Sequence, residues 1–470
     1  MAKKNGPSCP GCRHLARQLA TLQAEMRQVR EQLAAAQKNS TTSSKPPSSD
    51  IVKPPRGEPT PDEKPRTIGG QPGHAKHERV PFPPEEIHLV VEHRVEVCPD
   101  CGHALRPSGF APKVIQQVDV RDVPLHIEEH RQHESYCACC DKAFRGVLPS
   151  QVEKGGLLGP NLTAFVAYLK GVCHASFSTI RKFLRDMVKV TISRGQLAKI
   201  IAKVSAALAS SYEELLARLP HESKLNVDEA GHKNNKERFW TWCFRAELYT
   251  LFKVSPRRNA EVLIDVLGRE FEGVLGCDYF SAYRRFMREF DVRVQFCLAH
   301  FIRDVKYLTT LPSREDRVYG ERLRAALRQL FGVIHRREQL SAAEFQRQLE
   351  RARLEVLRQG TQGVPPTKPA GRLAARLLKD GGAYFQFITT PGVDPTNNVA
   401  EQAIRFVVID RLITQGTRSE TGQRWSERIW TVIATCTQQG RSVYDFLHAA
   451  VGHWFGDEPQ PSLVPAQPGA

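Results

Sequence analysis

Three acidic residues, far apart in the chain, stand where carboxylates can do chemistry. Asp228 closes the apolar-biased run of KLNVDEAGHK, Asp278 closes that of EGVLGCDYFSAY, and Glu401 falls early in the helix-like DPTNNVAEQAIR. One carboxylate at the end of each of two core strands, joined by one from a helix, can hold two divalent cations. Such a pair activates an attacking oxygen and neutralises a leaving one in phosphodiester chemistry. Hard oxygen donors in this number suit Mg²⁺, with Mn²⁺ as its substitute, since such an ion keeps several waters and takes the rest from carboxylate and phosphate. In that scheme Asp228 and Asp278 bind or bridge both cations and Glu401 completes one site. No protein nucleophile is required. A further apolar run, VRVQFCLAH, ends at Cys297 and His300. The pair reads either as half of a metal site or as structural. With no second pair nearby in sequence, a structural or hydrogen-bonding role for His300 is preferred.

These side chains need a core to hold them. Between Asp228 and Asp278 lie two β-rich runs, RFWTWCFRAE and YTLFKVS, and the helix-like NAEVLIDVLG. Residues 221–300 therefore read as the first part of an α/β core, a mixed sheet flanked by helices. Residues 393–455 supply the second part, with SERIWTVIATCTQQG as a helix packed on the sheet. Asn397, Glu401 and Arg405 recur at i, i+4 and i+8 and share one helix face. Asn397 and Asn398 then fall at a helix N-terminus near the metals, a place that favours phosphate. Arg405 reads equally as a DNA contact and as the partner of Glu401. The 123 residues from Asp278 to Glu401 hold an Arg-rich helical stretch. It reads as an insertion over 301–392, a long hairpin followed by a helix after PPTKPAG at 365–371.

A formal net charge of +16 over 470 residues points to a polyanionic partner. MAKKNGPSCPGC carries no apolar leader, and no run of 18 or more apolar residues occurs, so neither secretion nor a membrane span is expected. The expected compartment is cytoplasmic, which in a bacterial cell gives access to the nucleoid. Twelve cysteines in such a chain point to metal and free thiols, not disulfides.

CPDCG at Cys98 and Cys101 and CACC at Cys137 to Cys140 flank a stretch of β-like alternation. Cys137 with Cys140 gives the usual spacing, so residues 89–150 are expected to form a ribbon holding one structural Zn²⁺ on four thiolates, with Cys139 spare. Residues 1–38 join a lone pair, Cys9 and Cys12, to a heptad seam of Leu15, Leu19, Leu22, Met26, Val29, Leu33 and Ala36. Glu25 and Arg30 are placed to pair between parallel chains, so a homo-oligomer is expected. Such pairing would bring two Cys9/Cys12 pairs together, either as free thiols or around a second zinc. Residues 39–88, rich in Ser, Pro, Gly and charge, read as a disordered linker, and the Pro-rich tail 456–470 reads as disordered too. Residues 151–220 read as short helices joined by tight turns. Arg181, Lys182, Arg185, Arg194 and Lys199 on exposed faces fit a helix-turn-helix-like DNA contact. A helical brace packed on the core fits the same pattern.

In order along the chain, NSTTSSKPPSSD, GGQPGHAKH, the paired CxxC motifs, D-E-x-G-x-K at Asp228, CDYFSAY at Asp278, CxAH at 297–300 and NNxAEQAIR at 397–405 resemble the transposases of the insertion sequence 66 family. The resemblance runs over nearly the whole chain, and it is the order of the motifs that makes it specific. It implies a DDE enzyme with an RNase H-like catalytic core, whose acidic triad falls on Asp228, Asp278 and Glu401. Cys277 and Tyr279 stand where related chains commonly carry other small or polar residues. The implied activity is metal-dependent cleavage at transposon ends, then attack of the freed 3′-OH on target DNA, with element-encoded accessory proteins as possible partners. Two rivals remain. A related nuclease that cuts without joining leaves the linker, ribbon and insertion without a purpose. A non-catalytic zinc-ribbon DNA binder descended from a transposase should have lost a carboxylate, and all three are present.

Overall fold

Five segments, most of them runs of buried residues covered on both faces, form one sheet. They are β3 (Lys224–Asn234), β4 (Glu237–Arg245), β5 (Thr250–Ser255), β6 (Val274–Cys277) and β7 (Arg293–Phe296), preceded in the chain by a hairpin of β1 (Glu134–Cys137) and β2 (Lys142–Arg145). The sheet runs β5-β4-β3-β6-β7, antiparallel through the first three strands and parallel from β3 to β6 and β7. The parallel crossovers need helices, and α7 (Ala260–Leu267) and α8 (Ser281–Phe290) supply them. This mixed sheet flanked by helices is compatible with an RNase H-like core. The computed structural model describes residues 10–36, 83–87, 90, 126–132, 134–137, 142–145 and 147–464. The chain divides into two units, residues 1–54 with 130–470, and residues 55–129.

In the larger unit, α1 (Pro10–Ala36) is a 27-residue helix whose Leu15, Leu19, Leu22, Met26, Val29 and Leu33 are all exposed. Cys9, Cys98, Cys101 and Cys140 lie outside the described residues, as do the side chains of Cys12 and Cys137 and most of 39–88. The register of the β1–β2 hairpin sets Cys137 opposite Lys142.

A helical module follows: α2 (Ser150–Gly155), α3 (Pro160–Gly171), α4 (Phe177–Phe183), α5 (Arg194–Ala207) and α6 (Ala209–Arg218). Ser193 opens α5 with a full capping box, its side chain accepting from Gln196 N while Gln196 reaches back to Ser193 N. The module does not stand alone. It packs on α15 (Glu420–Gln438) and α16 (Val443–Gly456) from the far end of the chain. The approach is close enough that a Cβ on Gly171 would lie 2.5 Å from Ile429.

Between the two parts of the core comes the helical insertion. It comprises α9 (Leu298–Leu308), the hairpin of α10 (Arg314–His335) and α11 (Ala342–Thr361), then α12 (Lys368–Asp380), capped by Thr367, and the short α13 (Gln386–Thr389). The chain re-enters the core through α14 (Asn398–Thr414). The end of the chain differs from expectation. In the Pro-rich segment expected to be disordered, part of the chain is seated on the module: Leu463 is fully buried, Ser211 donates to Pro461 O, and Gln439 donates to Leu463 O. One apolar side chain and side-chain donors for the carbonyls suffice to seat an extended segment.

The edge strand β5 is covered in an ordered way. Its Thr250, Phe252 and Val254 N–H groups donate to Thr435 Oγ1 (3.2 Å), Thr431 Oγ1 (3.1 Å) and Glu427 Oε1 (2.7 Å) of α15. Two strand residues and four helical residues advance by nearly the same distance, so one helix face keeps step with the strand.

Candidate active site

The site forms where β6 ends beside the middle of β3: Asp278 follows the last residue of β6, whereas Asp228, expected at a strand end, lies inside β3 opposite Cys243 of β4. Asn226 pairs with Gly276 in parallel register, so two residues further along each chain come Asp228 and Asp278. Glu401 arrives from the first turn of α14. Burial comes first in raising the Asp228 carboxyl well above the usual carboxylate range, and the charges of Glu229, Asp278 and Glu401 add to it. Asp278 is raised by burial as well, while His300, the Phe280 N–H, Arg258 and Arg376 pull it part of the way back. The Phe280 N–H donates to Asp278 Oδ1 at 2.8 Å. Acidic groups crowded into a desolvated place repel one another, and a multivalent cation is the simplest relief.

Glu229, which the acidic triad does not include, is a fourth carboxylate here. Its side chain is 1% exposed. Arg258 donates to Oε1 through Nε (3.0 Å) and Nη2 (2.8 Å), and the Tyr283 hydroxyl donates to Oε2. Burial and then Asp278 push its carboxyl up to about 7. The Arg258 guanidinium lies 4.3 Å from the ring centroids of both Trp240 and Phe280, a cation held between two aromatic faces at the edge of the site. The signal in the sequence was the adjacent acid pair in NVDEAG, since two charges in succession are unusual inside a core strand.

The helix carrying Glu401 is fastened by Asn397, which is 1% exposed. Its Oδ1 accepts from Asn226 Nδ2 (2.9 Å), its Nδ2 donates to Val227 O (2.8 Å), and its backbone N–H donates to Cys297 Sγ (3.1 Å). Asn226 reaches it by crossing the neighbouring strand at Gly276, where a Cβ would sit 2.4 Å from Asn226 Nδ2. The expectation that Asn397 meets phosphate therefore gives way to an inward, structural role. Asn398, by contrast, is exposed at the first position of α14.

Glu401 Oε2 accepts from Arg303 Nη2 at 3.3 Å, and Oε1 faces His300 Nδ1 at 3.4 Å. Its arginine is thus Arg303 of α9, while Arg405 is exposed on α14. Among the described residues, the donor atoms that converge within 4.8 Å of one another are those of Cys297, His300 and Glu401. A second network runs behind Asp278. The Tyr279 ring lies between Arg376 (4.0 Å) and Arg284 (4.5 Å), and its hydroxyl donates to Asp380, which also receives Arg288 (3.0 Å). The insertion is thereby tied to the residue next to Asp278.

The basic residues singled out on the helical module are all at least partly exposed. Three have partners within the module: Arg181 donates to Ile192 O (2.9 Å), Arg194 to Ser178 Oγ (2.6 Å) and Arg185 to Asp186 (2.7 Å). Lys182 lies on α4 and Lys199 on α5.

A family model described as "Transposase IS66 family" matches residues 155–424, which include Asp228, Asp278 and Glu401. A second, described as a family of unknown function (DUF6444), matches residues 11–80. An uncharacterized protein of Sinorhizobium fredii, y4qI, is 23% identical over 418 residues, covering 81% of this chain and 75% of its own.

Proposed function

The chain belongs to the IS66 transposase family, and on that premise we propose that it is a DDE transposase with an RNase H-like core. It would hydrolyse the phosphodiester at each transposon end and join the freed 3′-OH to target DNA. One observation supports this reading: Asp228 within β3 and Asp278 just after β6 each stand two residues beyond the paired Asn226 and Gly276, and Glu401 is among the charges that raise the Asp228 carboxyl.

The donor set fits two Mg²⁺ or Mn²⁺ ions. The groups are carboxylates, burial leaves their charges opposed, and Glu401 Oε1 is buried without a hydrogen-bond partner. Such ions, when bound, activate the attacking oxygen and neutralise the leaving one. Asp228 and Asp278 would hold them from the sheet and Glu401 from the helix. The Phe280 N–H fixes one Asp278 oxygen and leaves the other for a ligand. Asn397 sets the depth of α14 against β3, and with it the reach of Glu401. No side chain has to act as a nucleophile.

The rest of the chain fits DNA work. The net charge of +16 suits phosphate contacts, with Arg181, Lys182, Arg185, Arg194, Lys199 and Arg405 as exposed candidates. Cys98, Cys101, Cys137 and Cys140 would hold a structural Zn²⁺, and α1 would pair with a second copy. Accessory proteins of the element and nucleoid-bound DNA complete the proposed partners. The test is an oligonucleotide assay with labelled transposon ends and Mg²⁺. Cleaved and joined products are expected. Cleavage without joining would leave a nuclease, and neither product would reject the enzyme.

A further inference from the structure

The Cys297-x-x-His300 motif is left over from the catalytic scheme, and its surroundings give it a third member. Cys297 follows β7 and opens α9, His300 lies in the first turn of α9, and Glu401 faces both from α14. Cys297 is 1% exposed and His300 is 7% exposed. His300 Nδ1 and Glu401 Oε1 are both buried without a hydrogen-bond partner, although they face each other at 3.4 Å. Two unpaired polar atoms that point into one space beside a thiol need something there to satisfy them.

We infer that Cys297, His300 and Glu401 form a binding site for a zinc-class transition-metal ion, separate in ligand chemistry from the Mg²⁺ set. Thiolate, imidazole and carboxylate together are a borderline-soft donor set, which selects Zn²⁺ over Mg²⁺. Donor atoms within 4.8 Å of one another need only a small contraction to meet one ion. The second shell is already built. Asn397 N–H donates to Cys297 Sγ, and Arg303 holds the remaining oxygen of Glu401. Three protein ligands leave a fourth position for water.

The consequence rests on the catalytic reading of Glu401. A carboxylate engaged by zinc is withdrawn from Asp228 and Asp278, so occupancy of this site and Mg²⁺-supported cleavage exclude each other. Zinc would keep the enzyme resting.

The experiment uses the full chain, freed of metal with a chelator, dialysed against Zn²⁺ and analysed for bound zinc by atomic emission. Wild type is compared with Cys297→Ser, His300→Gln and Glu401→Gln, and with Asp228→Asn as a carboxylate change outside the three. The ribbon cysteines are common to all five proteins, so their contribution cancels. Each of the first three variants should hold about one zinc fewer than wild type, and Asp228→Asn the wild-type amount. In parallel, Co²⁺ should give wild type more thiolate charge-transfer absorbance than Cys297→Ser, the ribbon's share being common to both. This comparison decides the matter if another variant fails to fold. Equal zinc in all five, with identical cobalt spectra, overturns the site. Zinc added to Mg²⁺-supported cleavage should slow the wild-type enzyme by about tenfold or more, and an undiminished rate with the site filled overturns the withdrawal of Glu401. Absence of cleavage under every condition would reject the transposase reading instead, while the zinc count would still decide the site.

Discussion

The side-chain amide of Asn397 donates to the carbonyl of Val227 at 2.8 Å, one residue ahead of Asp228. The same amide accepts from Asn226, so a residue next to the Glu401 helix is bonded to the strand that carries the first aspartate. Two parts of the chain separated by about 170 residues thus share one hydrogen-bonded joint.

Breaking that joint should cost both stability and rate. Asn397→Ala removes the side-chain partner of the Val227 carbonyl and of the half-buried Asn226 amide, a loss of about 0.5–1.5 kcal/mol for each bond. Denaturant unfolding should show a fall of that order. End cleavage at a temperature where the variant is still folded should fall further than DNA binding, because Glu401 loses its fixed reach.

The acidic triad predicts a sharp separation of catalysis from binding. Asp228→Ala, Asp278→Ala and Glu401→Ala should each lower cleavage and joining by at least ~10³-fold, the order lost with a main electrostatic element of a transition state. Binding to transposon-end DNA, measured on the same preparations, should fall far less, since phosphate contacts elsewhere supply most of it. Ca²⁺ in place of Mg²⁺ should support binding with little cleavage. Normal cleavage by any one of the three proteins would refute the triad.

Glu229 predicts a pH dependence of stability in metal-free protein. Its folded carboxyl is raised from 4.5 to about 7, so between those values the native state holds a proton that the unfolded chain has lost. Stability is therefore greatest at the low end of this window and declines as pH rises through 7, by about 3 kcal/mol at most from this group. Urea unfolding at pH 5, 6, 7 and 8 should show the decline. Mg²⁺ should reduce it, and Glu229→Gln should make it shallower, the raised Asp228 and Asp278 carboxyls supplying the remainder. A wild-type profile that rises across the same range would contradict the assignment.

Zinc content tests the ribbon. The purified chain should retain tightly bound zinc, and Cys98→Ser with Cys101→Ser should remove about one equivalent. An unchanged zinc content in that double variant would sink the four-thiolate reading.

Removal of residues 1–38 tests the heptad seam. The exposed Leu15, Leu19, Leu22, Met26, Val29 and Leu33 of α1 should make the intact chain self-associate, and the truncated chain should sediment as a smaller species at micromolar concentration. Identical sedimentation of the two would assign the seam another task.

Asp228 and Asp278 stand out in the sequence because burying a carboxylate is costly, so an acid that closes an apolar run marks a place where its charge can be used; the same pattern does not show that β3 continues past Asp228 to Asn234. The helix that Ser193 opens is legible through its cap, and the helix after 365–371 through the Pro-containing turn that precedes it. Glu229 is not. Period-two alternation assigns the neighbour of Asp228 to the other side of a strand, and only the fold shows Arg258 and Tyr283 waiting for it. Helical periodicity likewise offered Arg405 to Glu401, but the arginine that reaches it comes from another helix, 98 residues away. The local pattern sets Asn397 at a helix N-terminus, which in isolation looks like an anion site, whereas its amide bonds Asn226 and Val227. Its true partners are set by tertiary contacts that no local pattern records. Leu463 escaped for the opposite reason: one apolar residue among prolines carries no periodicity at all.

The ladder of Thr435, Thr431 and Glu427 along β5 limits how copies of this protein can come together. At the other margin of the sheet, Gln295 of β7 is bonded to Tyr384 O and Phe387 N. A strand offered by a neighbour would find those β5 amides already taken, so growth of the sheet from one protomer into the next is blocked there. An assembly of two copies would then use surfaces other than the β5 edge. Such junctions can form and release, where a continuous sheet would lock protomers together. Thr431→Val, nearly equal in shape, would reopen one rung. Its cost should appear in concentration-dependent light scattering as well as in the unfolding midpoint.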